Sequence, residues 1–533
     1  MQIVNSINDV EKALNSIDTF SNVSGLILNR TKTEGLCIGQ YRDIIPDNKS
    51  INWPLTPIRY LGIFVGTDDK ECEILNWTNK LEKMQKLVDC WRTRYLTIQG
   101  KILIIKALIL PKLTYVASML SIPDHIVKET NTIFFRFIWG KRDKIQRNIL
   151  INSFENGGLK MVDIESHFMA LKAAWIPRLI DDTKGIWKHL PLTYTYQITK
   201  GLLNEMTFET KDQMPCLKTI PNFYAEVILA FSKARCRTTI ENKSDLFNQL
   251  LWGNRLFMIN NKCLYSVSFI ESDILHVKDI LEVDGSFKND IFQRLKDKRH
   301  YLRVINMIKD SLKAYKCYRF GNSDPTNKVL PSPNWDGKRS KYFYLELIKK
   351  KAKCSKALCK LNMNFESNTN WSIIHANKIK KQFEVRISDF NFKLLNNIVP
   401  TGNNLFKWKK ANSANCIYCH NPNHDIKHLL WECPHIQHLW DVVQNTLDIC
   451  IDYFNIIIGI TNQHDMNCII SLICYIIYKK YLGDRQNIQN MNIYTYIAKE
   501  ISYRIHIYSS NICNDTCKTF LTGLITNLFS QVT

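Results

Sequence analysis

Apolar residues recur at helical spacing along much of this chain. Residues 81–91 carry one apolar face, and residues 126–138 carry another. Between them, a third helical pattern runs from about residue 100 to 110, where Pro111 stops or kinks it. Three such segments in close succession predict a compact helical domain.

Strand patterns are short and lie near the N-terminus. The alternation in LILNRTKTEGLCIG, residues 26–39, predicts a short hairpin, and the run IRYLGIFVG, residues 58–66, predicts a strand. Helical periodicity returns at residues 168–180 and 382–398, and the Pro-rich stretch 322–337 is typical of a linker. The patterns therefore predict a mainly α-helical protein with a small α+β N-terminal part.

Composition narrows the class of protein. The chain has 533 residues, 45% of them hydrophobic, which excludes both a single small module and a mostly disordered chain. Lys and Arg total 71 against 49 Asp and Glu, a formal charge of +22. Such an excess on a chain that can fold indicates a polyanionic partner, nucleic acid before membrane; the alternative is a generally solvated basic surface.

The cysteines and the apolar runs indicate the compartment. Seventeen cysteines without an N-terminal signal sequence favour a reducing compartment, so the nucleus or the cytoplasm is expected. The two most apolar stretches, residues 102–120 and 468–481, are interrupted or ended by lysines and lack the roughly 20 apolar residues of a membrane span. No membrane partner is expected.

The sharpest chemical motif is a cluster of cysteine and histidine with the spacing C-x2-C-x8-H-x4-C. Its members are Cys416, Cys419, His428 and Cys433. Two cysteines on a tight turn, followed by a histidine and a cysteine on a helical turn, can surround one Zn²⁺ tetrahedrally. Because four protein ligands leave no position for water, the predicted zinc site is structural.

Two alternatives to this ligand set remain open. One is a reduced Cys-x-x-Cys pair with unrelated histidines. The other replaces Cys433 with His424 and gives a Cys2His2 site. The nearby Trp431 and Trp440 are expected to pack a small zinc core.

The segment that holds this cluster resembles a known family. NNIVPTGNNLFKWKKANSANCIYCHNPNHDIKHLLWECPHIQHLW, residues 396–440, resembles the zinc-binding region of LINE-type (non-LTR) retrotransposon reverse transcriptases. FSNVSGLILNRTKTE resembles the family's motif D, and PIRYLGIFVG resembles its primer-grip motif E. LEKMQKLVDCWRTRYLTIQGKILIIKALILPKL resembles its thumb helices, and FIWGKRDKIQRNILINSFENGGLKMVD resembles the connector that follows.

The resemblance implies a domain order. It comprises a palm remnant at 1–66, a helical thumb at 67–140, a connector at 141–330, a basic helical segment at 331–395, a zinc-knuckle module at 396–445 and a C-terminal helical segment at 446–533.

The resemblance also implies an activity that this chain cannot complete. Members of the family copy RNA into DNA with two Mg²⁺ ions held by aspartates, including an aromatic-Ala-Asp-Asp hairpin. That motif is absent here, so Met1 is expected to fall inside the palm, no catalytic residue is assigned and the chain is predicted to be inactive alone. Structural Zn²⁺ is the implied cofactor, and Mg²⁺ belongs only to a full-length enzyme. The rivals are a non-enzymatic zinc-containing nucleic-acid-binding protein and a chain with no stable product.

RNA and DNA, as template and primer, are the implied partners, and several basic residues could contact them. Lys32 matches the motif D lysine near the leaving phosphate, although a solvated turn lysine is the alternative. In the thumb, Arg92 and Lys101 could follow the phosphates of a duplex, although a solvated helix face is the alternative for each.

Two further segments combine charge at higher density. Lys141 and Arg142 begin a cluster that continues to Lys144 and Arg147. Beside the zinc motif, Lys407, Trp408 and Lys409 interleave positive charge with an aromatic face on which a base could stack. The lysine run that contains Lys349 and Lys353 is compatible with an RNA contact or a nuclear import signal.

Overall fold

A computed structural model confirms the predicted fold class, because the chain is mostly helical with two small sheets. It describes residues 3–42, 44, 46, 51–181, 183–235, 240, 243–315, 339–351, 370–380, 382–460, 463–486, 491–507 and 515–531. The predicted linker at 322–337 and Lys353 lie outside these residues. The chain divides into two compact units, one of residues 1–93 and 108–133, the other of residues 94–107 and 134–533. The six-part division drawn from the resemblance stays a prediction.

The first unit is built from helices and one hairpin. Its helices are Asn8–Ser24, Asp69–Glu73, Asn79–Arg92 and Pro111–Met119, and Asp124–Trp139 begins in it. Leu81, Met84 and Val88 lie buried on the face of Asn79–Arg92 that the periodicity predicts. This face packs against Pro111–Met119, where the apolar pattern restarts after the proline.

Two strand predictions in the first unit are wrong in detail. The run 58–66 is a hairpin of Ile58–Tyr60 and Ile63–Val65 and not one strand. Leu61 and Gly62 both adopt positive φ, as the tightest two-residue hairpin turns require. Residues 26–39 form no hairpin; they contain the short 3-10 turn Arg30–Lys32, because the Asn29 side chain accepts the Lys32 amide and turns the chain.

The second unit holds most of the helices. Before residue 316 they are Ile98–Ile104, Arg147–Ile151, Ile164–Ala173, Trp175–Ile180, His189–Thr199, Asn222–Ala234, Lys243–Phe247, Val267–Ile270, Ile291–Arg294 and Tyr301–Leu312. After it they are Arg339–Lys349, Trp371–His375, Val385–Leu395, Gly402–Lys407, Pro434–Leu447, Tyr453–Ile458, His464–Arg485, Ile493–Ile507 and Asp515–Ser530. Its sheet is the hairpin of Met258–Ile259 and Lys262–Cys263.

Two layers of this unit frame the residues of interest. In one, Ile164–Ala173 packs against Asn222–Ala234 and Arg339–Lys349 around a large apolar core that includes Trp252. In the other, the helix His464–Arg485 is buried on most sides, as a central core helix should be. Val385–Leu395 packs on this central helix, with Phe390 stacked on Tyr478 at 5.1 Å.

Apolar stretches raise the question of a membrane span. Among the described residues, no single helix is both long enough and apolar enough to cross a bilayer. The broken pair Ile98–Ile109 and Pro111–Met119 meets the length and composition criteria only when its two parts are taken together.

A charged triad in the second unit carries a pH-dependent stability. His276 Nε2 lies 2.8 Å from Glu205 Oε2, and its Nδ1 lies 3.7 Å from Asp279 Oδ2. Hydrogen bonding to Asp279 and then to Glu205 raises the pKa of His276 to about 9. The stabilisation is therefore complete below the ordinary histidine pKa of about 6.5 and is lost as pH rises through about 9.

The variant His276→Gln is expected to lower the free energy of unfolding by about 2 kcal/mol in mildly acidic buffer, since half-exposed Glu205 is partly screened by solvent. Above the raised pKa the difference should disappear. Urea unfolding at both pH values measures it. The control is His438→Gln, because His438 and its partner Asp441 are both mostly exposed. Equal responses of the two variants would contradict the assignment.

Candidate metal centre and nucleic-acid contacts

Four side chains of the Cys/His motif converge in the second unit. The sulfurs of Cys416 and Cys433 lie 4.0 Å apart, as do those of Cys433 and Cys419. Cys419 Sγ lies 3.2 Å from Nε2 of His428. One ligand atom from each residue lies within 4.8 Å of all the others, and within the described residues this is the group of Cys, His, Asp and Glu side chains that meets such a criterion.

The donor set fits Zn²⁺. Around a tetrahedral zinc ion with Zn–S bonds of about 2.3 Å, sulfurs lie about 3.8 Å from one another. The two sulfur separations of 4.0 Å are close to that value, and three sulfurs with one imidazole are donors that zinc prefers. Cys416, Cys433 and His428 are buried, which suits a closed structural site.

A tight turn places the first two cysteines. The Cys416 amide donates to the Asn421 carbonyl at 2.9 Å, and His420, with φ +58°, reverses the chain between them. The Tyr418 amide donates to Cys416 Sγ at 3.4 Å, so the backbone also faces the sulfur. Asn421 closes the loop through its side chain, which accepts the Asn423 amide at 2.9 Å, as asparagine does in turns.

A single π-helical turn, His428–Glu432, places the other two ligands. Asp425 starts it by accepting the His428 amide at 2.8 Å, and the Cys433 amide donates to the His428 carbonyl at 3.1 Å. Pro434 then begins the helix Pro434–Leu447, a position where its missing N–H costs nothing. In that helix buried Trp440 donates to the Leu430 carbonyl at 2.7 Å and lies 6.2 Å from Trp431, as expected for residues that pack the zinc core.

His424 lies beside the cluster and is engaged elsewhere. Its Nδ1 accepts the Gly402 amide at 2.9 Å, and its ring packs 4.7 Å from that of Tyr481. Burial lowers the pKa of His424 to about 4, so the ring is neutral. Gly402 is required at this contact, because a Cβ there would lie 2.4 Å from the Ala414 carbonyl oxygen. The geometry places Cys433, and not His424, with the other three ligands.

The sulfurs share protons in a way that suits metal binding. The hydrogen bond between Cys433 and Cys416 lowers the pKa of Cys416 and raises that of Cys433, because one proton serves both sulfurs. Backbone N–H groups facing Cys416 also favour its thiolate. A thiolate is the form that binds Zn²⁺, and a bound cation would displace the remaining protons.

The structure places the predicted nucleic-acid contacts in both units. Lys32 and Arg92 belong to the first unit, where both are exposed, Lys32 on the turn Arg30–Lys32 and Arg92 at the end of its helix. The turn position of Lys32 fits the solvated-turn alternative as well as the motif D role. Lys141 and Arg142, in the second unit, are exposed just after the helix Asp124–Trp139.

Two predicted segments of the second unit meet. Lys407 and Lys409 are exposed and Trp408 is half-buried at the end of the helix Gly402–Lys407. The Lys144 ammonium lies 4.2 Å from the centroid of the Trp408 ring. Lys144 therefore covers part of the aromatic surface on which base stacking was predicted.

Sequence reasoning missed two residues at this meeting point. Lys393 contributes positive charge near Lys144, and buried Asp389 pairs with Lys393 at 2.7 Å. Both lie on the helix Val385–Leu395, whose periodicity predicted only an apolar face. Nothing local to residues 385–395 indicates a partner so distant in the chain.

A family comparison places the centre in context. Residues 353–440 match a family model described as zinc-binding in reverse transcriptase. The match contains all four residues of the cluster. This part of the chain is therefore a reverse-transcriptase-related zinc-binding region.

Proposed function

We propose that the chain is the C-terminal part of a LINE-type RNA-directed DNA polymerase and that it holds template, primer and element RNA. The observation that carries this is the convergence of Cys416, Cys419, His428 and Cys433 inside the segment that matches the reverse-transcriptase zinc-binding family. The charge of +22 and the exposed lysines beside the zinc motif support a polyanionic ligand. The resemblance of the thumb and connector segments supports the LINE type.

The zinc centre has a structural role in this proposal. It fixes the loop 416–421 to the start of the helix Pro434–Leu447 and so gives a rigid end to the basic segment 407–410. No bond-making step is assigned to this chain, because its 533 residues contain no aromatic-Ala-Asp-Asp motif. The nucleotidyl transfer would require carboxylates that hold two Mg²⁺ ions.

The test is binding and extension of a primed RNA template by the purified chain. We expect binding that weakens steeply with salt, because phosphate contacts release counterions. We expect no primer extension, with or without added Mg²⁺. Extension that depends on Mg²⁺ would overturn the assignment of the chain as non-catalytic. No binding even at low salt would overturn the nucleic-acid role.

A further inference from the structure

Three segments that are distant in the sequence meet around the Lys144 ammonium group. Lys144 follows the helix Asp124–Trp139, and its ammonium lies over Trp408, which ends the helix Gly402–Lys407. Lys410 belongs to the same segment as Trp408. The third segment is the helix Val385–Leu395, which carries Lys393. We call Lys144, Lys393, Lys410 and Trp408 the lysine cluster.

The positive charges of this cluster act on one another. Burial lowers the pKa of Lys144 to about 8, and the charges of Lys410, Lys393 and Lys101 lower it further in that order. The side chain as a whole remains exposed to solvent, so its charged end is the part held against the protein. Such mutual repulsion opposes folding, and an anion bound between the lysines would relieve it.

The cluster stands on a fixed platform. The Ile98 amide donates to buried Asp389 at 2.8 Å, and Gln99 Nε2 donates to Ser388 Oγ at 2.7 Å. These bonds fasten the start of the helix Ile98–Ile104 to Val385–Leu395. Lys101, one turn further along, donates to the Ile138 carbonyl at 3.1 Å. Groups held on packed helices keep their spacing when a ligand binds.

The neighbouring carboxylates are already paired. Asp389 pairs with Lys393, and Asp143 pairs with Arg147 at 2.7 Å. Across the part of the chain that the structure describes, no carboxylate pairs with Lys144 or Lys410. A lysine held by an aromatic ring but lacking an anion is suited to an external anion, because a structural lysine in such a site would be neutralised.

We propose that Lys144 and Lys410 bind the phosphodiester backbone of a nucleic acid and that Trp408 positions the Lys144 ammonium for this contact. This inference rests on the proposed function and assigns its phosphate contacts to particular residues. The cation–π contact restricts the lysine to one place without neutralising it. Contacts of this kind carry no base sequence information, so binding should tolerate any sequence.

The test uses the full chain and a fluorescein-labelled single-stranded RNA oligonucleotide. At about 0.1 M salt, Lys144→Gln and Lys410→Gln are each expected to weaken binding about tenfold, and the double variant should lower the salt slope by about two. Lys262→Gln is the matched control, because Lys262 is an exposed lysine of the Met258–Cys263 hairpin. Circular dichroism checks that all variants fold alike.

The outcomes separate this inference from the proposed function. If the wild-type chain binds RNA and the double variant binds like Lys262→Gln, the lysine cluster is not a phosphate site but the proposed function survives. If the wild-type chain binds no RNA, both fail. Acetylation of Lys144, followed by mass spectrometry, should be slowed by RNA and not by inorganic phosphate at the same phosphate concentration. Equal protection by both would overturn the assignment to a nucleic-acid backbone.

Discussion

Replacing Cys416 with serine is expected to weaken zinc binding by more than about a hundredfold, the upper end of what removing an outer-shell partner costs. Cys416 is buried and its sulfur faces both the Cys433 sulfur and the Tyr418 amide, so serine cannot restore the donor. Because a structural zinc contributes directly to folding free energy, the region 416–440 should also lose its protection from proteolysis.

Mass spectrometry under native conditions measures the effect. The intact chain should carry one zinc ion, and Cys416→Ser should carry none. Cys450→Ser is the matched control, because Cys450 is an exposed cysteine outside the cluster. An intact chain without zinc, or a Cys416→Ser variant that keeps it, would defeat the assignment of the metal centre.

A pair of histidine variants tests which imidazole is the fourth ligand. His428→Gln should lose zinc as Cys416→Ser does, since its Nε2 faces Cys419 Sγ at 3.2 Å. His424→Gln should keep zinc with affinity reduced by no more than about tenfold, because its Nδ1 is engaged by the Gly402 amide. The reverse pattern would establish the Cys2His2 alternative.

The sequence predicts this protein best where the signal is local. The helix Asp124–Trp139 follows from apolar residues at its own spacing, and the strict motif spacing brings residues 416, 419, 428 and 433 into one cluster. The hairpin at Leu61 and Gly62 is local too, but it was predicted as one strand because Leu61 is not a typical residue for positive φ.

The rest depends on contacts that no local pattern contains. Lys144 and Trp408 were each assigned to a basic segment, yet their contact exists only because distant segments fold together. Asp389 likewise reads as a polar position on a helix, whereas in the structure it is buried and accepts the Ile98 amide. Tertiary hydrogen bonds between distant residues leave no periodicity in the sequence.

The second large effect is expected at a buried ion-pair network behind the zinc-binding region. Arg504 Nε lies 2.7 Å from Glu384, and its Nη1 lies 2.6 Å from Glu500. The three side chains are 8%, 11% and 18% exposed, so water screens them little. Lys479 also pairs with Glu500, at 2.8 Å, but its side chain is 41% exposed.

Arg504→Met should lower the free energy of unfolding by about 3 to 5 kcal/mol, because it leaves two carboxylates buried without their partner. Lys479→Met is the control on the same carboxylate and should cost less than about 1 kcal/mol, as exposed pairs do. Urea unfolding of both variants measures the contrast. Equal small losses would mean that Arg504 is no more important than a surface lysine.

Two further measurements separate charge from packing in this network. The variant Arg504→Met with Glu384→Gln and Glu500→Gln should recover most of the loss, because no unpaired charge remains buried. The pKa of Glu500 is raised by burial but lowered overall by Arg504 and Lys479, so its contribution is present above the ordinary glutamate pKa and fades as pH falls through the lowered value. In Arg504→Met the carboxylates protonate at higher pH, so the gap from the wild-type protein should narrow on acidification. A gap that is constant with pH, with no recovery in the triple variant, would assign the loss to packing of the Arg504 side chain against Tyr475.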